Sequence, residues 1–586
     1  MLLWSCDARQ LIFVGIPKRD HAFLAFRRLE HLPSSCWPIT KIVEALHLFF
    51  DAGGVGRCDR RWGPAGLALA SALGSSQLVR ESLRVALVEA SDLSKAHDWT
   101  PAAGTFSNRA SSLTHKSQTF LKDIRAWDHV DEERTCPIQD MQVWDGVSDA
   151  RIDFSASLLG LGSPAQGMAR MTENLNLQRG LLRHLHSIPE VHILDKAKVQ
   201  TIDQAEASGN WPLVHLDNGR VLRGCRWIQL ACAIFCENIF IWMGLRHPSH
   251  CGYHVPPTAR GIYGSEYHRF PTVPSYRSHR IPPPLSPTAS SLVWSTKPPL
   301  ATALIASGPV VLGSMINAAF RLPDVSMRYL NGVILDAHAS GTPVTAPQIQ
   351  AEIAWRERSH GIDETSAYAS ASIDPTREGI PPADAELLPP LVTSLQPGTV
   401  ASFPLRFQHT DSYLGEGLGS RTVLVGDAAH TVHPLAGQGL NLGLADVECL
   451  SRCIQDALLQ GGDVGSRTAL LPYAQERYLE NHKIMSVMDK LHKLYSTSFE
   501  PVVWARSVGL EVVNEFDSVK SALMMEASGK GLDRASVWNM AAKGVESFAA
   551  ATDAARVVRT GVSGMLGAAV QGALKTASNL SSLKKH

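Results

Sequence analysis

The residues with the clearest chemical use lie together in one segment, from Gly426 to Asp446. A short apolar run ends on Gly426-Asp427, and Gly437-Gln438-Gly439 then opens a predicted helix. A carboxylate at the end of a strand can accept hydrogen bonds from a polyol, and a glycine turn before a helix presents bare N–H groups and a positive dipole end to an anion. The segment therefore predicts a ligand with hydroxyl groups at one end and negative charge at the other.

The flanking sequence predicts the elements that carry this segment. Residues 421–425 form a short apolar run typical of a strand, which delivers Asp427. After Gly439 the apolar residues recur at helical spacing until Gly461-Gly462 stops the helix. A further helical region is predicted from Leu470 to about Val513.

The segment closely resembles the second FAD fingerprint of the para-hydroxybenzoate-hydroxylase-like flavoprotein monooxygenases. The resemblance implies FAD as cofactor, with Asp427 on the ribitol and Pro434 near the flavin ring. The resemblance also makes Gly426, in the turn, a cofactor-binding residue. The residues that it assigns to the pyrimidine end of the flavin are Gly437, Gln438, Gly439 and Asn441. A helix start aimed at that end would stabilise the anionic reduced flavin, through which oxygen activation passes.

A second glycine segment fits the same family. Gly63 and Gly66 open a helix of small residues, and residues 84–90 read as the next strand, which is most of a β-α-β unit. The resemblance makes these glycines the second and third of a dinucleotide motif and makes Glu89 the ribose ligand. Arg61 stands where the first glycine is expected, and the preceding residues lack the apolar run of a strand.

Other segments resemble the branch of this family, of fungal type, that hydroxylates a polyprenylated 4-hydroxybenzoate in mitochondrial ubiquinone biosynthesis. They are residues 106–111, 126–128, 141–145, 292–296 and 403–405. Arg109 would then contact the flavin, and Trp144 and Trp294 would either line the substrate sheet or belong to the core. No metal site and no catalytic acid or base is assigned, although His430 and His433 have suitable chemistry.

The resemblance also implies a mechanism and a setting. Reduced flavin would react with O₂ to give a C4a-hydroperoxide that attacks the phenol ring in a water-excluding pocket. Ferredoxin and its reductase would supply electrons, and the partners would be proteins of a ubiquinone-synthesis complex. The chain would lie peripherally on the matrix side of the mitochondrial inner membrane, and the tail from about Val537 is either a membrane contact or a packing helix.

The predicted fold class is α/β. A Rossmann-like FAD-binding domain comprises residues 62–135, 166–235 and 412–465, with an inserted mixed β-sheet substrate domain at 136–165 and 285–411. Residues 466–586 form a C-terminal helical region. Residues 1–61 are an extension, either a targeting segment or the product of a wrongly assigned gene structure, and 236–284 are a Pro/His-rich irregular segment.

One family motif is missing from its expected place. An Asp-Gly strand end should follow residues 217–223, but the chain continues Gly224-Cys225-Arg226, and family-like sequence resumes only near Leu285. An abrupt loss and recovery, here and before Gly63, is more typical of a reading-frame or splice error than of gradual divergence. We interpret residues 1 to about 62 and 225 to about 284 as partly mistranslated, which sequencing of the transcript tests.

Composition excludes several classes of protein. The chain has 586 residues, 45% of them hydrophobic, and its 55 Lys and Arg balance 55 Asp and Glu, so there is no electrostatic footprint for nucleic acid. Its ten cysteines are scattered and lack the paired Cys-x-x-Cys arms of a zinc site. Two alternatives stay open: an FAD hydroxylase of another phenol reduced by NAD(P)H, and a flavin-free scaffold.

Overall fold

The structure is a computed structural model, and it describes residues 8–14, 63–102, 104–107, 109–145, 151–156, 167–204, 212–223, 226–231, 239–246, 264–270, 276–281, 289–362, 392–404, 407–416, 421–432, 437–496, 500–515 and 520. Strands and helices are numbered along the chain. The strands are β1 (Ala8–Val14), β2 (Val85–Glu89), β3 (Ala110–Thr114), β4 (Thr135–Asp145), β5 (Arg151–Ser155), β6 (Ala169–Glu173), β7 (Val191–Leu194), β8 (Val199–Gln204), β9 (Pro212–Leu216), β10 (Val221–Arg223), β11 (Arg226–Ala231), β12 (Ile239–Arg246), β13 (Gly264–Phe270), β14 (Tyr276–Ile281), β15 (Ala289–Thr296), β16 (Ser394–Leu395), β17 (Ala401–Pro404), β18 (Gln408–His409), β19 (Thr422–Leu424) and β20 (His430–Thr431). The helices are α1 (Pro64–Ser75), α2 (Gln77–Ser82), α3 (Ser94–His97), α4 (His115–Asp123), α5 (Asn174–His186), α6 (Pro298–Ala306), α7 (Pro309–Arg321), α8 (Asp324–Ala339), α9 (Ala346–Ser359), α10 (Gly439–Leu459), α11 (Arg467–Ser496) and α12 (Glu500–Glu515).

A five-stranded sheet in the order β19-β11-β1-β2-β7 carries both glycine segments. Strand β19 is parallel to β11, β2 is parallel to β7, and β1 pairs antiparallel with both β11 and β2. Strands β19, β11, β2 and β7 therefore point the same way. The residue that ends β2, Glu89, and the turn that follows β19, Gly426, consequently lie at one edge of the sheet.

Helices α1 and α10 pack together against this sheet. Pro64 suits the first turn of α1 because its missing N–H would be unsatisfied there anyway. Helix α10 begins at the predicted Gly439 and ends before Gly461, which has φ +66°. The shared core includes Leu67 and Leu73 from α1 with other buried leucines of α10, such as Leu444 and Leu450. The predicted elements around both glycine segments are therefore confirmed.

Strand β1 lies within residues 1–61, which the sequence predicts to be an N-terminal extension. Residues 8–14 occupy the central position of the sheet, and Gln10 pairs with Glu89 while Val14 pairs with Val85. Because β1 is antiparallel to β2, it ends at the sheet edge opposite Glu89. It therefore does not lead directly into the glycine turn at Gly63, as the first strand of a dinucleotide-binding unit does.

A ten-stranded mixed sheet forms the second layer, in the order β16-β12-β15-β14-β13-β4-β6-β3, with β17 on β12 and β5 on β4. The expectation of irregular structure at 236–284 is corrected, because β12, β13 and β14 lie there. Strand β12 is rich in Ile, Phe and Trp, which favour a sheet. Strands β3 and β6, predicted within the FAD-binding ranges, also belong to this sheet.

A helical layer covers part of the larger sheet. Helices α6, α7, α8 and α9 share a hydrophobic core with Leu292 and Trp294 of β15. Trp294 is fully buried, so of the two roles that the sequence left open it takes the core one. The Trp144 side chain lies outside what the structure describes.

The C-terminal helical region is present as α11 and α12. These helices agree with the predicted helical stretch from Leu470 to about Val513. The tail from Val537 lies outside the described residues. Among the helices in the described ranges, none is long and apolar enough to cross a membrane.

Candidate cofactor site

The two glycine segments meet at one point. A Cβ added to Gly443 of α10 would lie 3.5 Å from the Cβ of Ala65 in the first turn of α1 and 3.6 Å from the Cα of Gly426. Both distances are ordinary van der Waals contacts, so the backbone at Gly443 lies close to both segments. The start of α1, the turn after β19 and the first turns of α10 therefore converge at the edge where β2 and β19 end.

The turn after β19 has the form that the sequence predicts for a cofactor turn. Gly426 has φ +60° and is buried, and Asp427 next to it is exposed. Gly437 also has φ +60°, a conformation that a residue with a Cβ rarely adopts. Gln438, the N-cap of α10, makes no side-chain cap bond, so its side chain does not cover the N–H groups of the first turn.

Glu89 and Arg109 occupy different environments. Glu89 is 1% exposed, and its Oε1 accepts a hydrogen bond from the Ser91 N–H at 2.8 Å. Arg109 is half-buried just before β3, and its carbonyl accepts a hydrogen bond from the Asn174 N–H at 3.0 Å. Glu89 thus has one oxygen in a local turn, while Arg109 is fixed through its backbone.

The loop that leads to Arg109 is held from two sides. The Phe106 N–H donates to Gln396 Oε1 at 3.1 Å, and Gln396 Nε2 donates back to the Phe106 carbonyl at 2.7 Å. The Ser107 N–H donates to Glu173 Oε1, whose second oxygen accepts from Arg134 Nε at 2.6 Å. These contacts tie the loop to the larger sheet and to the start of α5.

The side chain of Asn441, which the resemblance assigns to the pyrimidine end, contacts β3. Its Oδ1 accepts from the Thr114 N–H at 3.0 Å, and its Nδ2 donates to the Ser112 carbonyl at 2.9 Å. The residue is 5% exposed. Because both ends of the amide are bound to β3, Asn441 joins α10 to the larger sheet.

A buried ionic cluster lies directly behind the turn. Asp446 Oδ2 accepts from the Gly426 N–H at 3.0 Å and from His430 Nε2 at 2.6 Å, while Oδ1 accepts from Arg477 Nε at 2.8 Å and Asn481 Nδ2 at 3.0 Å. Burial on its own would raise the pKa of Asp446, but the charges and hydrogen bonds of His430 and Arg477 lower that pKa to about 2. Asp446 is therefore a carboxylate at neutral pH.

The sequence predicted some of these residues and missed others. His430 is 2% exposed and bound to Asp446, so it is a structural histidine in this arrangement; His433 and Pro434 lie outside the described residues. The cluster of Asp446, Arg477 and Asn481 was missed. Its signals were an acid placed on the same face of α10 as Gly439 and Gly443, and a polar pair at i, i+4 spacing in α11. In the ranges that the structure covers, no cluster of His, Cys, Asp or Glu is arranged to hold a metal.

Comparison with known proteins decides the family. The FAD binding domain family matches residues 394–486, which include the turn after β19 and α10. The mitochondrial ubiquinone biosynthesis monooxygenase COQ6 of Schizosaccharomyces pombe is 30% identical over 79% of this chain and 89% of that protein, and COQ6 of Xenopus tropicalis is 31% identical over 80% and 91%. The chain belongs to the COQ6 family of FAD-dependent monooxygenases.

The COQ6 family assignment agrees with the fold. The solved structure of p-nitrophenol 4-monooxygenase PnpA from Pseudomonas putida has a TM-score of 0.50 and 14% identity, covering 80% of this chain and 97% of PnpA. That likeness concerns the fold alone. With the matching FAD binding domain, it confirms the predicted flavoprotein monooxygenase fold and FAD as the cofactor.

The site fits FAD on its own geometry. The exposed Asp427 can accept hydrogen bonds from a polyol, and the start of α10 offers N–H groups that the Gln438 side chain does not cap. The start of α1, capped only by Gly63, offers a second position for an anion at the same edge. A dinucleotide with a ribitol and a diphosphate matches both positions.

Proposed function

We propose that this chain hydroxylates the aromatic ring of a polyprenylated 4-hydroxybenzoate-type intermediate of ubiquinone biosynthesis, with O₂ as co-substrate. The observation that carries the proposal is the approach of Gly443 to both Ala65 and Gly426, which joins the two glycine segments at one sheet edge. The relatives that match 79–80% of this chain are named as ubiquinone biosynthesis monooxygenases, which supports the pathway.

Each residue at the edge has a defined task in the proposal. Asp427 binds the ribitol, the α10 start from Gly437 to Gly439 faces the pyrimidine end, and Gly63 and Gly66 let the diphosphate approach α1. Glu89 binds the ribose, and Arg109 contacts the flavin from the loop before β3. Bound FAD supplies the oxygen-activating chemistry predicted from the sequence.

The protein's own contribution is to orient and to exclude water. Gln396 and Glu173 fix the loop before Arg109, so the arginine is placed before the substrate arrives. Asn441 joins the flavin-side helix α10 to β3, which ties the cofactor half of the site to the sheet that holds the substrate. This connection holds the phenol ring of the substrate at a fixed position relative to the flavin.

The setting of the reaction is part of the proposal. The relatives' names place them in mitochondria, which supports a mitochondrial site for this chain. We propose a peripheral position on the matrix side of the inner membrane, where a polyprenylated substrate resides. Ferredoxin with its reductase is the proposed electron source, and proteins of a ubiquinone-synthesis complex are the proposed partners.

The test is purification of the full chain, followed by flavin absorbance and an assay of ring hydroxylation with reduced ferredoxin. We expect a flavin band, and product from prenylated 4-hydroxybenzoate but not from soluble phenols. Asp427→Ala should weaken FAD binding about 10- to 100-fold, because it removes a charged hydrogen-bond acceptor. Asp411→Ala, which removes another exposed aspartate, is the control and should change nothing.

Three outcomes would contradict parts of the proposal. Product formed only from soluble phenols with NAD(P)H would indicate a hydroxylase of another substrate. A colourless protein that takes up no added FAD would indicate a flavin-free scaffold. Equal FAD affinity in Asp427→Ala and Asp411→Ala would remove Asp427 from the site.

The direction of β1 supports the interpretation that residues 1 to about 62 are partly mistranslated. In a dinucleotide-binding unit the first strand leads straight into the glycine turn, whereas β1 ends at the opposite edge from Gly63. Sequencing of the transcript tests this interpretation. A cDNA that encodes the same residues would contradict it.

A further inference from the structure

The buried carboxylate of Asp446 joins three parts of the chain. It accepts from Gly426 and His430 in the turn that carries Asp427, and from Arg477 and Asn481 on α11, while it belongs itself to α10. The side chains of Asp446, His430 and Arg477 are 0%, 1% and 5% exposed. Every acceptor position of the carboxylate therefore meets a donor that is removed from water.

Stability alone is a weak reason for such a cluster. Removing charges from water costs free energy that their attraction often does not recover, and apolar side chains of equal volume are commonly as stable. A charged cluster instead fixes the orientation of the groups around it, because each donor must point at one oxygen. The donors that point at Oδ2 of Asp446 are the Gly426 N–H, at the start of the turn, and the His430 ring, at its end.

The cluster is not a path for protons. From Asp446 the hydrogen bonds continue through Asn481 to Tyr413 and then to His409 near the surface. Asn481 Nδ2 donates to both Asp446 Oδ1 and Tyr413 Oη, and an amide that donates in both directions cannot pass a proton along. Burial also raises the pKa of Tyr413, which keeps its hydroxyl neutral. These hydrogen bonds can hold the turn in place, but they cannot carry a proton to or from the flavin.

We propose that Asp446 is a positioning residue for FAD: by holding the Gly426 N–H and His430, it fixes the turn so that Asp427 faces the cofactor. The backbone of this turn is also supported by Ala429 N–H to the Gly426 carbonyl at 2.8 Å, by Thr410 N–H to the Ala429 carbonyl at 2.9 Å and by the pairing of β20 with β18, but none of these contacts holds the Gly426 N–H. The inference rests on the proposed contact between Asp427 and the ribitol.

The experiment compares full-length variants by FAD titration of the apoprotein, by visible circular dichroism of the bound flavin and by the melting temperature of the apoprotein. Asp446→Asn keeps the side-chain volume but replaces one carboxylate oxygen with an NH2 group. That group donates, so it faces donors that the carboxylate accepted from and leaves them without an acceptor. Leaving a buried donor unsatisfied costs about 1–3 kcal/mol, so the FAD dissociation constant should rise about 5- to 150-fold. The flavin dichroism should change as well, because Asp427 is displaced.

The matched control breaks another link between the same two helices. Arg452 Nη2 of α10 donates to Glu476 Oε2 of α11 at 2.9 Å on the surface, and Glu476→Gln removes this ion pair without touching the turn. We expect its FAD affinity to stay that of the unmodified chain. Loss of affinity in Glu476→Gln equal to that in Asp446→Asn would overturn the inference, because helix pairing in general would then be the cause.

A second pair of variants decides the case if Asp446→Asn does not fold. His430→Leu removes one donor from Asp446 and leaves an apolar side chain of similar reach, whereas His430→Gln keeps an N–H donor. We expect weakened FAD binding in His430→Leu and substantial recovery in His430→Gln, both measured in apoprotein that is folded at the assay temperature. Unchanged FAD affinity and dichroism in a folded His430→Leu protein would overturn the inference. If the unmodified chain itself binds no FAD, the proposed function fails first.

Discussion

Substitution of Gly443 tests whether the convergence of the two glycine segments creates the cofactor site. An added Cβ would lie 3.5 Å from Ala65 and 3.6 Å from Gly426, which is ordinary van der Waals contact. Gly443→Ala should therefore fit, and in a helix interior alanine is favoured over glycine by about 1 kcal/mol. We expect this variant to be at least as stable as the unmodified chain and to bind FAD normally.

Gly443→Val should behave differently. Each Cγ extends about 1.5 Å beyond the Cβ, so the added methyl groups must enter the contact with Ala65 or with the backbone of Gly426, which cannot rotate away. Overpacking of this kind costs about 1–3 kcal/mol. Since 1.4 kcal/mol is about tenfold in affinity, the FAD dissociation constant should rise roughly tenfold as α1 and the turn separate.

The assay is quenching of flavin fluorescence on titration of each apoprotein, with the melting temperature measured in parallel. Gly332→Val is the matched control, because Gly332 lies within α8 and an added Cβ would meet no described atom within 4 Å. Its FAD affinity should not change. The reasoning is refuted if Gly443→Val binds FAD as tightly as the unmodified chain, or if Gly443→Ala loses as much affinity as Gly443→Val.

Three further predictions concern stability. Gly180→Ala places a Cβ 2.7 Å from Val130 Cγ2, so we expect a loss of about 1–3 kcal/mol in urea denaturation, and an unchanged midpoint would contradict the packing argument. Trp294→Ala empties the core between β15 and the helical layer and should cost about 3–5 kcal/mol, measured by thermal unfolding; a loss well below this range would place Trp294 outside the core. Asp446, whose pKa is lowered from 3.8 to about 2, should contribute about 2 kcal/mol above pH 4, and this contribution should disappear as the pH falls from 4 to 2. The difference in stability between the unmodified chain and Asp446→Asn should therefore narrow over that interval in acid titration, and a constant difference would show that the charge is not responsible.

The structure of the cofactor segment could be predicted because its sequence signals are local. The strand before Asp427, the glycines at 426 and 437 and the helix stop at Gly461 each follow from backbone requirements of a few neighbouring residues. Positive φ at these glycines confirms that reasoning. The helix at Gly63 and the strand ending at Glu89 were predicted from local patterns for the same reason.

Predictions from amino-acid composition were less reliable than predictions from local motifs. The Pro/His-rich composition of residues 236–284 predicted irregular structure, but β12, β13 and β14 pair within the larger sheet. Strand β12 is an apolar run that becomes a strand because β15 and β17 lie on either side of it. Such pairing depends on partners that are distant in sequence, so composition within the segment could not reveal it.

The sequence by itself determined the chemistry of this protein: an acid after a strand, glycine turns at two helix starts, and a family resemblance that implied FAD. Only the tertiary structure decided how those parts are held. It set β1 against the direction of its neighbours, bound the Asn441 amide to β3, and surrounded Asp446 with donors from α11 and from the turn. The physical reason is that hydrogen bonds and charges act over a few ångströms in space, whereas the residues that they join here lie from tens to hundreds of positions apart in the chain.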